Sequence, residues 1–401
     1  MLKQSTKQYI AVFYLILMCV QFIPLEGMGV SYFKFGAMCL SPLILLITSL
    51  KVTKVWLWIG LYCLFVTFSA LFDPAAFRFS SIGYLYTFLV MFLLFNNLIS
   101  CEKVFTPDFY IRLLKGLIFA YVIVLLLQQA AILIGFKQVP VINLMYSLNR
   151  TIWGNSLALE PSHAARILGA AFLAFLKTNE IKNGVPLKLK ELFGKYKWLT
   201  LGFLYAMFTM GSGTAFVALA IISLYFLRKQ YIAFIVPLLF VLYLLVPVIN
   251  YEPLNRAATA IEVLLSEDPN RIVKEDMSAA VRIKPLINTF TNLDLTDKTT
   301  WLGEGTDASL NYGVHSRDFD KQMMGGINNY GLIGFILGVI LIGTCCLTRF
   351  FSLETLFIFI LVGFAINNIA YIWGIYMLFV PVKYFYKNYV YANGDMNLKL
   401  G

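Results

Sequence analysis

A helix that crosses a bilayer needs about 20 mainly apolar residues, and this chain contains one run after another near that length. Tyr9–Leu25, Phe35–Leu50, Val55–Phe72, Phe79–Ile99, Gly116–Phe136 and Ile232–Ile249 read as spans, as do Ile327–Thr344, Leu353–Ala370 and Tyr371–Tyr386. Ala164–Leu176, Trp198–Met210 and Ala215–Leu227 are shorter candidates. Hydrophobic residues make up 60% of the 401 and charged residues 13%, where a soluble domain carries roughly 25% charged. One water-soluble core cannot hide that much apolar surface. The expectation is an all-α polytopic integral membrane protein with roughly twelve transmembrane helices, in a range of about 10–14. A soluble enzyme, a secreted disulfide scaffold and a disordered regulator are excluded. Lys3 and Lys7 before the first apolar run resemble a signal peptide. No small-residue cleavage site follows, so the run is expected to stay as the first span.

The net charge of +11 would suit a nucleic-acid binder, but its distribution says otherwise. Residues 250–326 hold 8 of the 32 basic and 12 of the 21 acidic residues, a net of −4. The remaining residues carry 24 basic and 9 acidic, a net of +15. Placing the N-terminus in the cytoplasm puts Lys51, Lys54, Lys103, Arg112, Lys115 and the lysines between 177 and 197 in inner connections. Arg228, Lys229 and the tail lysines follow them, as the positive-inside rule requires. Both termini are then cytoplasmic, and no nucleic-acid partner is implied. The chain divides into helices over 1–249, a large extracytoplasmic loop over 250–326, and C-terminal helices with a tail over 327–401, within one membrane domain. That orientation needs Trp198–Leu227 to turn at Gly211-Ser212-Gly213 as two short helices. Short helices at membrane depth are tolerated beside a polar cavity. All six cysteines fall in spans or on the inner side, so no outer disulfide is expected.

Two outer segments, about 137–166 and 250–326, are too long to be simple connectors. They contain both histidines of the chain, His163 and His315. In the first, Glu160, Ser162, His163 and Arg166 gather at a helix start that Pro161 suits, with Arg150 upstream. Glu160 and Ser162 equally suit a plain helix cap. In the second, Arg282 and Lys284 ride on a short apolar segment, Gly303-x-Gly305 reads as a flexible turn, and His315, Arg317, Asp318 and Asp320 precede the next span or form a solvated rim. Outer-face arginines run against the charge rule, which favours a function for them. Trp153 and Trp301 suit an interfacial belt or sugar stacking.

Arg150 and Gly154 ahead of Glu160-Pro161-Ser162, the Ser212-Gly213-Thr214 turn, Ser278 with Arg282, Gly303-x-Gly305, and His315 ahead of Tyr330-Gly331-Leu332-Ile333-Gly334 come in a telling order. Over residues 150–345 the chain resembles the O-antigen polymerase (Wzy-type) family of bacterial polysaccharide polymerases, related to the O-antigen ligases. The resemblance implies a glycosyltransferase C-like membrane fold in the bacterial inner membrane, with the active site facing the periplasm or exterior. It also implies undecaprenyl-diphosphate-linked oligosaccharide as substrate, a chain-length regulator as partner, and transfer without metal or cofactor. Arg282, Arg166 and Arg150 would bind the diphosphate, and Glu160, His315 or His163 would serve as base. Two rivals remain: an O-antigen ligase sharing the same clamp, and a transporter or lipid-linked oligosaccharide flippase. A transporter would place charges mid-membrane, where these spans have few. A membrane scaffold would leave the outer Arg, Glu and His residues unexplained.

The orientation has a direct check in single cysteines placed at 160, 213, 282 and 315 of a cysteine-free chain. All four are expected to react with a membrane-impermeant maleimide from the outer face. Labelling of any of them from the cytoplasmic face contradicts it.

Overall fold

The computed structural model describes residues 2–22, 31–48, 51–72, 77–136, 138–144, 153–227, 277–306, 308, 312 and 321–390, with the side chains of 72, 277–283 and 390 excepted. Among the described residues the protein is helical, with no β-strand beyond a single Val139–Leu144 bridge. The helices are α1 (Gln4–Cys19), α2 (Tyr32–Thr48), α3 (Lys54–Phe72), α4 (Phe79–Ser100), α5 (Pro107–Leu133), α6 (Pro161–Asn183) and α7 (Leu189–Lys195). They continue with α8 (Lys197–Thr209), α9 (Gly213–Ser223), α10 (Met277–Thr291), α11 (Lys298–Leu302), α12 (Ile327–Cys346), α13 (Leu353–Val362) and α14 (Ala370–Val390). Four stretches are long and apolar enough to cross a membrane: Lys54–Leu71, Phe79–Ser100, Pro107–Leu133 and Met324–Cys346. The expected span Ile232–Ile249 lies outside the described residues.

The innermost helices are α6 and α14, which pack on each other. From Ala164 to Leu176 every residue of α6 except Arg166 is buried. Its small residues make that possible: a Cβ on Gly169 would already lie 3.1 Å from Ala218 of α9 and 3.2 Å from Phe357 of α13. Small residues let helix backbones approach closely where lipid supplies no hydrophobic drive. Around this pair sit α1, α4, α5, α9 and α12. Trp373 of α14 stacks on Phe88 of α4 with ring centroids 5.8 Å apart, and Tyr110 of α5 donates its hydroxyl to Leu378 O of α14. The outer helices bare apolar side chains instead. Leu57, Leu61, Leu64, Phe68 and Leu71 of α3 are all exposed, and their three- and four-residue spacing makes one stripe. Such a surface is compatible with a membrane protein.

Several boundaries differ from the sequence reading: the first helix is Gln4–Cys19 rather than Tyr9–Leu25, the run Ala164–Leu176 extends to Pro161–Asn183, and two further differences have a clear local reason. The fifth helix starts at Pro107 rather than near Gly116, because Thr106 accepts the Phe109 N–H as N-cap, Pro107 fits the first turn and Asp108 suits the positive helix end. The run Leu353–Ala370 is helical only to Val362. Gly363 there takes φ +68° and its N–H returns to Ile358 O and Phe359 O, a glycine C-terminal cap. The expected break at Gly211 is present: α8 and α9 are separate, and Gly211 (φ +72°) has no room for a Cβ beneath the Trp153 ring.

Gly303-x-Gly305, read as a flexible turn, is instead a backbone clamp. The Glu304 and Gly305 N–H groups donate to Asn328 O (2.8 Å) and Asn329 O (3.3 Å) at the head of α12. A Cβ on Gly303 would lie 2.3 Å from Asn329 O, and one on Gly331 2.2 Å from Trp301 O. Gly331 also interrupts α12 at φ 64°, ψ −179°, a conformation nearly confined to glycine. Gly331→Ala should therefore cost about 2–4 kcal/mol through clash and strain together. Gly60→Ala, in an open helical position, should be neutral or stabilising. Thermal unfolding of the two variants in detergent, followed by tryptophan fluorescence, checks this; equal melting temperatures contradict the clamp.

Candidate functional site

The site begins where α1 stops. Val20 is extended, and the C-terminal carbonyls of α1 are taken up by side chains from elsewhere. Tyr121 of α5 donates to Cys19 O at 2.5 Å, and the buried Lys34 of α2 donates Nζ to Val20 O at 2.5 Å. A cation there suits the negative end of a helix. The next two backbone N–H groups, of Gln21 and Phe22, both donate to Leu157 O at 2.9 and 3.2 Å. The end of the first helix is thereby tied to the segment just before α6.

A second polar knot holds that segment from the other side. Gln128, fully buried in α5, donates Nε2 toward Ile142 O (2.8 Å), Asn155 Oδ1 (3.2 Å) and Ser156 O (3.1 Å), and its Oε1 accepts the Ser156 N–H (2.8 Å). Asn143, left-handed at φ 60°, donates Nδ2 to Ser156 O and Ala158 O, both at 2.7 Å. Asparagine is among the few residues that tolerate this backbone region. Asn155 closes the loop by donating Nδ2 to Ala158 O at 2.8 Å. Residues 153–160 therefore have a defined shape despite lacking secondary structure.

The chain then enters α6 with Glu160 as N-cap residue and Pro161 in the first turn. The plain-cap interpretation fails for Glu160, whose side chain makes no capping hydrogen bond. Its Oε2 instead accepts from the Ser162 hydroxyl at 3.3 Å and lies 3.8 Å from His163 Nε2. The other ring nitrogen, Nδ1, is 3.1 Å from Gln21 Oε1, an oxygen that also accepts the Leu159 N–H at 3.1 Å. The imidazole stacks on Tyr371 of α14 with centroids 4.1 Å apart and planes 25° apart. Arg166 lies one turn on, on the same helix face, and donates NH1 to the Tyr371 hydroxyl. Its Nε is buried and has no hydrogen-bond partner among the described residues. Tyr371 thus serves as a common floor for the imidazole and the guanidinium, while the Glu160 side chain remains 64% exposed and His163 21%.

Glu160, His163 and Arg166, singled out in the sequence, are brought together. Arg150 and His315 lie outside the described residues. Arg282 belongs to α10, whose first half has no described side chains. Trp153 is committed to covering Gly211, and Trp301 donates Nε1 to Leu295 O at 2.9 Å. Gln21, Lys34 and Tyr371 were missed by sequence reasoning; a polar residue inside the expected first span was the one signal Gln21 offered. Among the described residues, no group of three or more His, Cys, Asp or Glu side chains could hold a metal ion.

Comparison with protein-family models, curated proteins and solved structures found no match to this chain. The chemistry of the site therefore rests on its own geometry.

Replacing Gln128 by leucine leaves buried backbone groups unpaired, at about 1–3 kcal/mol each. The variant should fold with residues 153–160 loosened, read as faster tryptic cleavage at Arg150 in detergent. An unchanged cleavage rate means that the Gln128 knot does not hold the segment.

Proposed function

We propose that this protein polymerises undecaprenyl-diphosphate-linked oligosaccharide repeat units into a surface polysaccharide at the outer face of the bacterial inner membrane. The reading takes the chain as a glycosyltransferase C-like membrane enzyme of roughly twelve spans, both termini cytoplasmic and the Glu160–Arg166 cluster outside. It joins the resemblance in residues 150–345 to one structural observation, the buried Nε of Arg166 beside Tyr371, a donor with no hydrogen-bond partner among the described residues. A desolvated guanidinium donor is costly to leave unsatisfied. A phosphate oxygen is a fitting partner, because arginine binds it in planar, charge-assisted geometry.

In the proposed reaction a hydroxyl at the non-reducing end of a new lipid-linked unit attacks the anomeric carbon of the growing chain. The new glycosidic bond forms as the bond from that carbon to the diphosphate oxygen breaks. The bonding pair leaves on undecaprenyl diphosphate, and the hydroxyl proton passes to a base among Glu160, His163 and His315. Arg166, Arg282 and Arg150 oppose the charge that builds on the leaving diphosphate, where fixed cations lower the barrier most. The positive N-terminal end of α6 adds to them.

Variants Arg282→Ala and Glu160→Ala should each abolish chain extension while the protein stays inserted at normal abundance. Arg282→Lys should also be poor, since a single ammonium cannot reproduce the two-pronged contact. The readout is the length ladder of surface polysaccharide in a strain lacking the chromosomal copy. A single repeat unit on the surface lipid marks loss of a polymerase, whereas loss of a ligase leaves none. Normal ladders from both alanine variants contradict the site.

A further inference from the structure

The two bonds converging on Gln21 Oε1 decide a question that the reaction scheme leaves open. An atom that accepts the backbone N–H of Leu159 is the amide oxygen and not the amide nitrogen. That same oxygen lies 3.1 Å from His163 Nδ1. It carries no hydrogen, so the proton between them belongs to Nδ1. The hydrogen bond made by one ring nitrogen sets which nitrogen carries the proton, so in the neutral ring the basic lone pair falls on Nε2. The stack on Tyr371 fixes the ring plane, and Nε2 is the nitrogen turned toward Glu160, 3.8 Å away.

We propose that Gln21 is a positioning residue that holds His163 in its Nδ1–H form, making Nε2 the base that receives the proton of the acceptor hydroxyl. As the sugar oxygen bonds to the anomeric carbon, its O–H pair becomes the oxygen lone pair and the proton joins Nε2. Glu160, which lies beside that same nitrogen, then faces an imidazolium and stabilises its charge. The proton afterwards returns to water. The identity of the hydroxyl rests on the polymerase reading; the tautomer does not.

The chain has two histidines, so full-length His315→Gln protein labelled with 15N-histidine in lipid nanodiscs gives the His163 ring alone. Its 15N spectrum should show a pyrrole-type Nδ1 and a pyridine-type Nε2. Gln21→Leu should move the ring toward the Nε2–H form, while Gln21→Glu, which keeps an acceptor oxygen, should not. With His315 in place and a defined lipid-linked repeat unit as substrate, Gln21→Leu should lower kcat about a hundredfold with KM changed less than about twofold. Gln21→Glu should keep most of the rate. An Nε2–H ring in the protein with Gln21 intact, or a tautomer indifferent to Gln21→Leu, overturns the assignment. A wild-type protein with the Nδ1–H ring that extends no chain supports the assignment and overturns the polymerase reading instead.

Discussion

The arrangement around the head of α6 depends on one oxygen atom at the end of α1. Gln21 Oε1 takes an N–H from Leu159 and faces the ring of His163, while the Gln21 and Phe22 backbones hold Leu157. Leu157, Leu159 and His163 are thereby fixed to the first helix of the chain. The Gln128 network fixes residues 153–158 to α5. Tyr371, at the start of α14, then meets a histidine and an arginine whose positions are set from two other directions. The Gln128 tie uses a fully buried amide that would be costly to leave without a partner, and together the ties hold a charged cluster at the helix start.

Much of the helical pattern was legible in the sequence. Phe79–Ile99 and the observed Phe79–Ser100 nearly coincide, because a long run of large apolar residues leaves few alternatives to a helix. Where the reading erred, the deciding information was small and local. The Thr106-Pro107-Asp108 cap lies among polar residues that a hydropathy argument discards. Gly363 ends α13 by its positive φ, which apolar content does not reveal. Helix α6 was read only as a shorter candidate, Ala164–Leu176, whereas it runs Pro161–Asn183 and its small residues let α9 and α13 close over it.

The site was legible in part, and the divide is physical. Glu160, His163 and Arg166 occupy a single helix start, so sequence spacing was enough to group them. Gln21 and Tyr371 lie 142 and 205 residues from the groups they touch, and no local pattern encodes such a meeting. Gly303-x-Gly305 shows the same limit: two glycines looked like slack, whereas their missing side chains admit the backbone at the head of α12.

The central claim is that a cation, a carboxylate and an oriented imidazole at one helix end drive glycosyl transfer from a lipid diphosphate. Its most direct test is purified protein incubated with a defined undecaprenyl-diphosphate-linked repeat unit. The account predicts a ladder of lipid-linked polymers with release of undecaprenyl diphosphate, and its loss in Arg166→Gln. An unchanged substrate, or a ladder that Arg166→Gln makes as well as wild type, would contradict it.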